Sequence, residues 1–579
     1  MDIFFEFRSR IRSALEELVS KGLLLGEESF ESIVVEPPRD HSLGDLATNA
    51  ALILAKSEKK RPMVIAQLIA DILAKDSSVG SVEIVKPGFI NVILKSDIWF
   101  QVLAKAFSNP TTFGCNIHGK GKKINVEYVS ANPTGPLHVG HTRGAVFGDA
   151  LSNLLEFNGY EVTREYYVND AGGQIDALAR SVFLRYIELH GHKIELCEES
   201  YPGEYLIPVA AELKRKYGDQ FVKEKESEWL GTFKSFSSDA MLNLIKEDLK
   251  LLGISMDKFY SEQALYKSGR INLALKSLAE KGLIYSGVLP PPKGKQVEDY
   301  EPKKQTLFKS TDFGDDLDRP LKKSDGSWTY FAPDVAYHFD KIERGYDELI
   351  DVFGADHSGY VKRMKAAVSA LSAGKVNLHI KLCQLVRLYK KGRPYKMSKR
   401  AGNFVSVRDM ISEVGRDVIR FMMLTRKNDA QLDFDVDKAL EQSKDNAVFY
   451  VQYAHARCCS IIDKARRIGF NIDETKLEGA ELAILTAKSE GRIIKKIAEW
   501  PRVVQVSGLS HEPHRIVFYL YELAAEIHSY QHEGKLNADL KVISQDANMM
   551  LARLVLIRTA QSVISVGLNI LGVSPLTKM

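Results

Sequence analysis

One stretch of the sequence, residues 130–141 (SANPTGPLHVGH), constrains the fold more than any other. An alternating run at residues 124–129 (INVEYV) precedes it and predicts a β-strand, and apolar residues at helical spacing follow it until Gly159. The first turn of a helix offers unpaired N–H groups and a partial positive charge, which together favour an anion. A strand, a turn rich in glycine and proline, and a helix therefore predict a phosphate-binding turn.

Two histidines give this turn its chemistry. His138 and His141 are three positions apart, so they share a face of the first helical turn and can both donate to one phosphate. Gly135 and Gly140 would let a nucleotide approach the backbone closely. A surface histidine pair and half of a metal site are the alternatives, but no cysteine or glutamate stands at zinc-ligand spacing nearby. We expect nucleotide binding and no metal site.

The pattern after this helix predicts a parallel sheet that is interrupted. Residues 161–168 (EVTREYYV) predict a second strand, which completes a βαβ unit. Helical runs replace the alternation from about residue 170 to 300, and strand-like runs return from about residue 305 to 389. No G-x-G-x-x-G motif follows the first strand, which argues against a dehydrogenase. The fold class is therefore α/β and multidomain, with a Rossmann-like parallel sheet that a helical insertion splits.

The two ends of the chain predict further domains. Residues 1 to about 110 alternate helical and strand-like runs without a catalytic constellation, which is typical of a small α+β binding domain. From about residue 437 onward the runs are nearly all helical, which predicts an antiparallel bundle. The predicted units are an N-terminal α+β domain (1–112), the first catalytic half (113–168), an inserted segment (169–300), the second catalytic half (301–405), a connector (406–436) and an α-helical bundle (437–579).

A second chemical feature is the basic segment 385–400 (LVRLYKKGRPYKMSKR), which holds seven lysines and arginines and no acidic residue. Gly392 and Gly402 bracket a part of it that would suit a mobile loop. Such a charge run is commonly no more than a solvated face. Because it follows the second half of the sheet and the two histidines lie upstream, it becomes a candidate clamp for a polyphosphate leaving group.

Composition narrows the compartment and the partners. The net charge is +4, from 79 basic and 75 acidic residues, so a nucleic-acid surface would be a local patch rather than a global bias. The cysteines form no C-x-x-C pair, which favours a reducing compartment. The first residues show no cleavage-site pattern, and no run of roughly 18 apolar residues occurs. These features predict a cytoplasmic protein with no membrane partner.

Two short motifs resemble the signature sequences of class I aminoacyl-tRNA synthetases, namely residues 138–141 (HVGH) and residues 396–400 (KMSKR). Val139 stands where isoleucine is commoner in that family, and Arg400 stands where its pattern ends in serine, but both lysines remain. The resemblance narrows to the arginyl-tRNA synthetases. It covers nearly the whole chain, through the segments GDLATNAA, KPGFINV, VEYVSANPTGPLHVGHTRGAVFGDAL, YYVNDAGGQIDALARSVFLRY, WTYFAPDVAYHFDK, FGADHSGYVKRMKAA, MSKRAGNFVSVRDM and NAVFYVQYAHAR.

This resemblance implies an arginine–tRNA ligase, which uses ATP to form arginyl-adenylate and then transfers L-arginine to the terminal adenosine of tRNA(Arg). It also implies that tRNA binds before arginine is activated. By resemblance, the catalytic residues are His138, His141, Lys396 and Lys399. The ATP site would comprise these four with Gly135, Gly140, Asp356, Met397 and Ser398. The arginine site would comprise Glu127, Ser130, Asn132, Tyr330, Asp334 and His357.

The residues themselves give partial support for arginine. A guanidinium needs planar, bidentate acceptors and can stack on an aromatic ring. Tyr330 and Asp334 stand four apart, and Glu127 alternates with the apolar side of the first strand. An exposed strand glutamate and an ordinary helix face are the alternatives. Mg²⁺ is expected with ATP because it neutralises polyphosphate charge, but no protein cage for it is visible in the sequence.

The predicted bundle resembles the anticodon-binding domain of the family. Tyr450, Tyr453 and Arg457 fall at i, i+3 and i+7, so one helix face could offer stacking rings and a cation to unpaired tRNA bases, unless they are core residues. No long heptad repeat demands a dimer, so we expect a monomer, with no DNA partner. Another class I aminoacyl-tRNA synthetase and a catalytically silent tRNA-binding paralogue are the alternative functions, and the intact histidines and lysines argue against the second.

Overall fold

The structure is a computed structural model, and it describes residues 2–26, 30–38, 40–195, 200–290, 303–394, 405–441, 443, 446–470 and 480–579.

The N-terminal domain is a small antiparallel sheet with helices packed on it. Its elements are α1 (Ile3–Ser20), β1 (Val35–Glu36), β2 (Leu46–Thr48), α2 (Ala50–Leu54), α3 (Pro62–Leu73), β3 (Val79–Val85), β4 (Phe89–Leu94) and α4 (Ser96–Ser108). The strands pair in the order β1-β2-β4-β3. Local chemistry sets the helix starts, because the Asp2 side chain accepts the N–H groups of Phe4 and Phe5, and Pro62 occupies the first turn of α3.

The central domain is built around a five-stranded parallel sheet. Its first part contains β5 (Lys123–Glu127), α5 (Val139–Phe157), β6 (Glu161–Val168), α6 (Gly173–Leu189), α7 (Leu206–Tyr217), α8 (Glu226–Leu251), β7 (Lys258–Ser261), α9 (Glu262–Lys267), α10 (Arg270–Glu280), β8 (Ile284–Gly287), β9 (Gln305–Phe308) and β10 (Arg319–Lys322). Its second part contains α11 (Phe331–Glu343), β11 (Glu348–Gly354), α12 (Val361–Ser372), β12 (Asn377–Cys383), β13 (Val386–Lys390), β14 (Arg393–Pro394), α13 (Val407–Val414), α14 (Arg416–Met423), β15 (Leu432–Asp435) and α15 (Val436–Leu440).

The order of the parallel strands, β12-β11-β5-β6-β7, fixes where a ligand can bind. β5 pairs with β6 on one side and with β11 on the other, all in parallel. The strand order therefore reverses between β5 and β11. In open α/β sheets, ligands bind beyond the carboxyl ends of the strands at such a switch point. The βαβ unit β5-α5-β6 places residues 130–141 at this point.

Two boundaries differ from the sequence prediction. β7 lies within the segment predicted as an insertion (169–300), yet it pairs in parallel with β6, so the helical insertion ends before Lys258. Its four residues are too short to give a periodic signal. The strand-like run 381–389 is also two strands, because β12 ends at Cys383 and β13 joins a separate sheet of order β14-β13-β15.

The C-terminal part is a helical bundle, as predicted. It consists of α16 (Ala447–Arg467), α17 (Lys488–Ser510), α18 (His514–Leu536) and α19 (Ala547–Ile570). Among the described residues, α19 is long and apolar enough to cross a membrane, but 78% of its apolar segment is buried inside the molecule. Its hydropathy is thus accounted for by packing against the other bundle helices. The α/β multidomain fold class is confirmed.

Candidate active site

The chain turns sharply where β5 ends at the switch point. Val129 and Ser130 have φ angles of 70° and 38°, a left-handed backbone that residues with a side chain rarely adopt. Hydrogen bonds hold this turn, because the Ser130 hydroxyl donates to Glu127 Oε1 at 3.0 Å and accepts from the N–H of Tyr167 at 3.1 Å. Ser130 therefore orients the Glu127 carboxylate within the protein itself.

The two histidines predicted to bind phosphate lie together at the start of α5. Their rings stack with centroids 3.9 Å apart. His138 Nδ1 accepts the N–H of Gly140 at 3.1 Å, and His141 Nδ1 accepts the N–H of His138 at 3.3 Å. Because each Nδ1 is an acceptor, each neutral ring carries its proton on Nε2. The helix start thus presents two imidazole donors of defined tautomer.

The two glycines of this turn make room for protein side chains. A Cβ on Gly140 would lie 2.8 Å from His138 Cε1, so only glycine lets that ring cap the helix. A Cβ on Gly135 would lie 2.9 Å from the hydroxyl of Tyr205, which donates to the carbonyl of Thr134 at 2.8 Å. Tyr205 comes from the inserted segment and was not predicted from the sequence. Through it, the insertion packs directly against the phosphate-binding turn.

Glu127 belongs to a buried charge cluster at the centre of the sheet. Lys341 Nζ on α11 lies 2.6 Å from Glu127 Oε2 and 3.0 Å from Asp351 Oδ1 on β11. His338 Nε2 lies 2.8 Å from Asp351 Oδ2. The ligand atoms of Glu127, His338 and Asp351 lie within 4.8 Å of one another, which would suit a metal ion. The ammonium of Lys341 lies between the two carboxylates, so the cation of this cluster is a side chain.

Charge in this cluster is mutually stabilised. Burial disfavours a charge on Lys341, but Asp351 and Glu127 together raise its pKa, so it remains an ammonium. Burial would also raise the pKa of Asp351, but Lys341 and His338 lower it well below its usual range. For Glu127 burial prevails and raises the pKa. Glu127 is therefore a carboxylate whose orientation and charge depend on Lys341.

A second acidic group lies where Asp334 and Glu262 meet. Burial raises the pKa of Asp334 to about 6, although Tyr360 makes a hydrogen bond to it. Burial and the charges of Asp334 and Asp170 raise the pKa of Glu262 to about 7. The hydroxyl of Tyr167, whose pKa responds to the charges of Asp334 and Glu262, is buried without a hydrogen-bond partner in the described parts of the chain. Among the described residues, no lysine or arginine forms an ion pair with Asp334 or Glu262, and a buried cationic ligand would stabilise both carboxylates.

Glu262 was missed in the sequence analysis. It is the first residue of α9, directly after the short strand β7, so it too stands at the carboxyl end of a sheet strand. Recognition of β7 in the sequence KFYS would have been the signal for it.

The other predicted arginine and ATP residues are more exposed. Tyr330 precedes α11 and is 89% exposed, while Asp334 lies one turn later in the same helix. The Asn132 amide donates to Gln174 Oε1 of α6 at 2.7 Å. Asp356 and His357 follow β11, with side chains 78% and 61% exposed. The structure therefore brings these residues to the carboxyl edge of the sheet, where Asp334 is the more buried and Tyr330, Asp356 and His357 are exposed.

The predicted leaving-group clamp cannot be described directly, because Lys396, Met397, Ser398 and Lys399 lie outside the described residues. The chain just after them is described and contacts the histidine turn. Val139 N–H donates to the carbonyl of Val405 at 3.2 Å, and Val407 N–H donates to the carbonyl of Leu137 at 3.0 Å. His138 and Ser406 form the antiparallel bridge between these two bonds. The backbone of residues 405–407, which follows the KMSKR motif, is thus hydrogen-bonded to the histidine turn.

An aromatic cluster marks one face of the helical bundle. Tyr450 lies 4.9 Å from Tyr521 and 4.5 Å from His528 between ring centroids. Tyr453 stacks on His528 at 5.6 Å, and the guanidinium of Arg457 lies 5.3 Å over the Tyr453 ring. Tyr453 and Tyr521 are each 39% exposed. The predicted anticodon residues therefore form a half-exposed cluster rather than a buried core.

Comparison with known proteins gives matches along the whole chain. Family models match residues 6–94 (arginyl tRNA synthetase N terminal domain), 103–462 (tRNA synthetases class I (R), catalytic domain) and 451–579 (DALR anticodon binding domain). Arginine–tRNA ligases of a Ruegeria species and of Ruegeria pomeroyi are 56% and 55% identical, each covering 100% of both chains. Thermus thermophilus arginyl-tRNA synthetase superposes with a TM-score of 0.76 at 21% identity, covering 100% of both chains.

Proposed function

Because the chain belongs to the arginyl-tRNA synthetase family of class I aminoacyl-tRNA synthetases, whose members are arginine–tRNA ligases, we propose roles for its own residues in that reaction. The enzyme activates arginine with ATP and transfers it to tRNA. Neither alternative, another class I synthetase or a catalytically silent paralogue, finds support in the full-length matches.

The observation that carries the proposal is the acidic group of Asp334 and Glu262, to which the described residues supply no lysine or arginine partner. The guanidinium of arginine binds between Asp334 and Glu262, whose raised pKa values of about 6 and about 7 reflect buried carboxylates that need a positive partner. Tyr330 covers the rim of this pocket. Glu127 is paired with Lys341, so it contributes less charge to the guanidinium. Ser130, Asn132 and His357 hold the amino and carboxylate end of arginine.

In the first step, the arginine carboxylate attacks the α-phosphate of ATP and pyrophosphate departs. The Nε2 donors of His138 and His141, at the positive end of the α5 dipole, stabilise charge on the α-phosphate. Lys396 and Lys399 stabilise the departing pyrophosphate, and Gly135, Gly140, Asp356, Met397 and Ser398 complete the ATP site. The rate gain comes from positioning and charge stabilisation, without a covalent enzyme intermediate.

Mg²⁺ enters with ATP rather than through a protein cage. The one cluster of metal-ligand type among the described residues, Glu127 with His338 and Asp351, already holds the ammonium of Lys341 between its two carboxylates. Mg²⁺ commonly retains several waters and binds phosphate oxygens with few protein ligands, so ATP can carry it into the site. When bound, it neutralises polyphosphate charge.

In the second step, the terminal adenosine hydroxyl of tRNA(Arg) takes the arginyl group. Unpaired bases of the anticodon loop stack on the cluster of Tyr450, Tyr453 and Arg457, because half-exposed rings and a nearby cation are the features that bind unpaired bases. The N-terminal domain, residues 1–112, provides a further tRNA contact. The enzyme acts as a monomer in the cytoplasm.

Citrulline tests the arginine pocket, because it replaces the guanidinium with a neutral urea of nearly the same shape. In arginine-dependent aminoacylation, we expect its inhibition constant to exceed the KM for arginine by about 10⁴, since a pocket built for hydrogen-bonded charge rejects a ligand lacking it. Lysine is the matched control, because it keeps the charge without the planar fork. Inhibition by citrulline within tenfold of arginine would contradict the assignment of Asp334 and Glu262.

A further inference from the structure

A buried carboxylate outside the arginine pocket contacts the residue before the HVGH motif and the helix that follows the KMSKR motif. Asp248 lies near the C-terminal end of α8 and is fully buried. Its Oδ2 accepts the N–H of Leu137, the residue before His138, at 2.9 Å. Its Oδ1 accepts Nε of Arg408 at 2.6 Å. Arg408 follows Val407, whose own N–H donates to the carbonyl of Leu137.

This arrangement closes a small network around the histidine turn. The N–H of Leu137 is held by Asp248, and its carbonyl is held by Val407. Val139 N–H is held by the carbonyl of Val405. His138 thus lies between two residues whose backbone groups are hydrogen-bonded. Asp248 also binds Arg408, which lies on α13, the helix that follows the KMSKR motif. Asp248 is the only side chain in this network, among described residues, that bonds to both motif regions.

We propose that Asp248 is a positioning residue for adenylate formation. Through Leu137 on one side and Arg408 on the other, it fixes the turn that carries His138 against α13, the helix that follows the KMSKR motif in the chain. This inference rests on the phosphate roles proposed above. Asp248 is fully buried behind the histidine turn. Its effect is therefore on the position of the phosphate donors, and hence on kcat, rather than on substrate binding.

Both carboxylate oxygens of Asp248 accept hydrogen bonds, one from each side of the network. A buried carboxylate is unfavourable unless its oxygens are satisfied, and here one oxygen takes a backbone N–H and the other a guanidinium. Glu247, the neighbour in sequence, also pairs with Arg408, at 2.8 Å, but its side chain is 65% exposed. No hydrogen bond joins Glu247 to Leu137 among the described contacts. The two adjacent acids therefore share Arg408 but differ in their link to the histidine turn.

The test is arginine-dependent ATP–pyrophosphate exchange with saturating tRNA, using Asp248→Asn and the matched control Glu247→Gln. The asparagine oxygen can still accept from Leu137, but the charge on Arg408 loses its buried partner. We expect the kcat of Asp248→Asn to fall about ten- to a hundredfold with the KM values for ATP and arginine changed less than threefold. Glu247→Gln is expected to stay within twofold of the wild type, because exposed pairs contribute little.

A double variant separates positioning from loss of fold. If Asp248 acts through Arg408, then Asp248→Asn with Arg408→Gln has no lower kcat than Asp248→Asn alone, since the two changes break one link. Active-site titration and thermal unfolding report the folded fraction. A kcat per folded molecule near that of the wild type, or equal losses for Asp248→Asn and Glu247→Gln, would overturn the inference. If His138→Ala also kept full kcat, the proposed phosphate role would fail instead.

Discussion

The change Asp334→Asn should weaken arginine activation while stabilising the free enzyme. Burial raises the pKa of Asp334 from 3.8 to about 6, so ionising this carboxyl in its pocket costs the folded protein roughly 3 kcal/mol. Asparagine has nearly the same shape and does not ionise, so at pH 8 it removes this penalty from the free protein. It also removes one carboxylate from the guanidinium, and breaking a buried ion pair costs about 3–5 kcal/mol.

At pH 8 this ionisation penalty is already present in the free protein, so it does not reduce the loss for arginine. Because Glu262 remains to bind the guanidinium, we expect the lower end of that range, about 3 kcal/mol, or roughly a hundredfold in kcat/KM. The assays are arginine-dependent ATP–pyrophosphate exchange and thermal unfolding at pH 8 without ligand. We expect kcat/KM for arginine to fall about a hundredfold, KM for ATP to stay unchanged, and Tm to rise by a few degrees.

Glu343→Gln is the matched control, because Glu343 lies on the same helix, with its side chain 44% exposed, and pairs with Arg270 instead. It should leave kcat/KM for arginine within about twofold. An unchanged KM and kcat for arginine in Asp334→Asn would refute the pocket assignment. If Asp334→Asn lowered both Tm and activity, Asp334 would stabilise the ligand-free protein, and the proposed cost of its ionisation would be wrong.

Three further predictions follow from the charges and rings already described. Asp334 and Glu262 have pKa values of about 6 and about 7 and must be ionised to bind a guanidinium. Calorimetry should therefore show that the Kd for arginine rises at least about tenfold when the pH is lowered from 7.5 to 5.5, and that binding releases protons. A Kd that does not change with pH would contradict this. Lys341→Met removes the ammonium that lies between two buried carboxylates and should lower the free energy of unfolding in urea by about 3–5 kcal/mol, whereas a loss below about 1 kcal/mol would show that the cluster tolerates a neutral residue. Tyr453→Ala should raise the KM for tRNA about tenfold without changing the KM for arginine, and equal KM values for tRNA in both proteins would remove the ring from the anticodon site.

Local sequence signals predicted the frame of the site well. The unit β5-α5-β6 has clear strand and helix periodicity and a turn with glycine and proline, so the unit itself followed from the sequence. Its place at the switch point came only from the observed pairing of β5 with β11. Helical spacing placed His138 and His141 on one face, and the structure adds that their rings stack. The helical bundle was also predicted from periodicity, but the half-exposure of its tyrosines was not, because spacing alone left a core position open.

Contacts between distant residues were not predictable in this way. Lys341 reaches Glu127 across 214 positions, and nothing in the local sequence around Lys341 indicates a buried cation. Glu262 became visible only once β7 was seen to extend the sheet. Gly135 was predicted for close approach of a nucleotide, but the structure shows that Tyr205 of the insertion occupies the space beside it. Such partners depend on tertiary packing, which single-sequence periodicity does not contain.

Activation of arginine by this site is tested most directly by ATP–pyrophosphate exchange, measured on the purified protein with each of the twenty amino acids, with and without total tRNA. The pocket of Asp334 and Glu262 predicts exchange with arginine alone, and the family membership predicts that it requires tRNA. Exchange with another amino acid would contradict the pocket, and absence of exchange under every condition, with tRNA binding retained, would contradict the catalytic account.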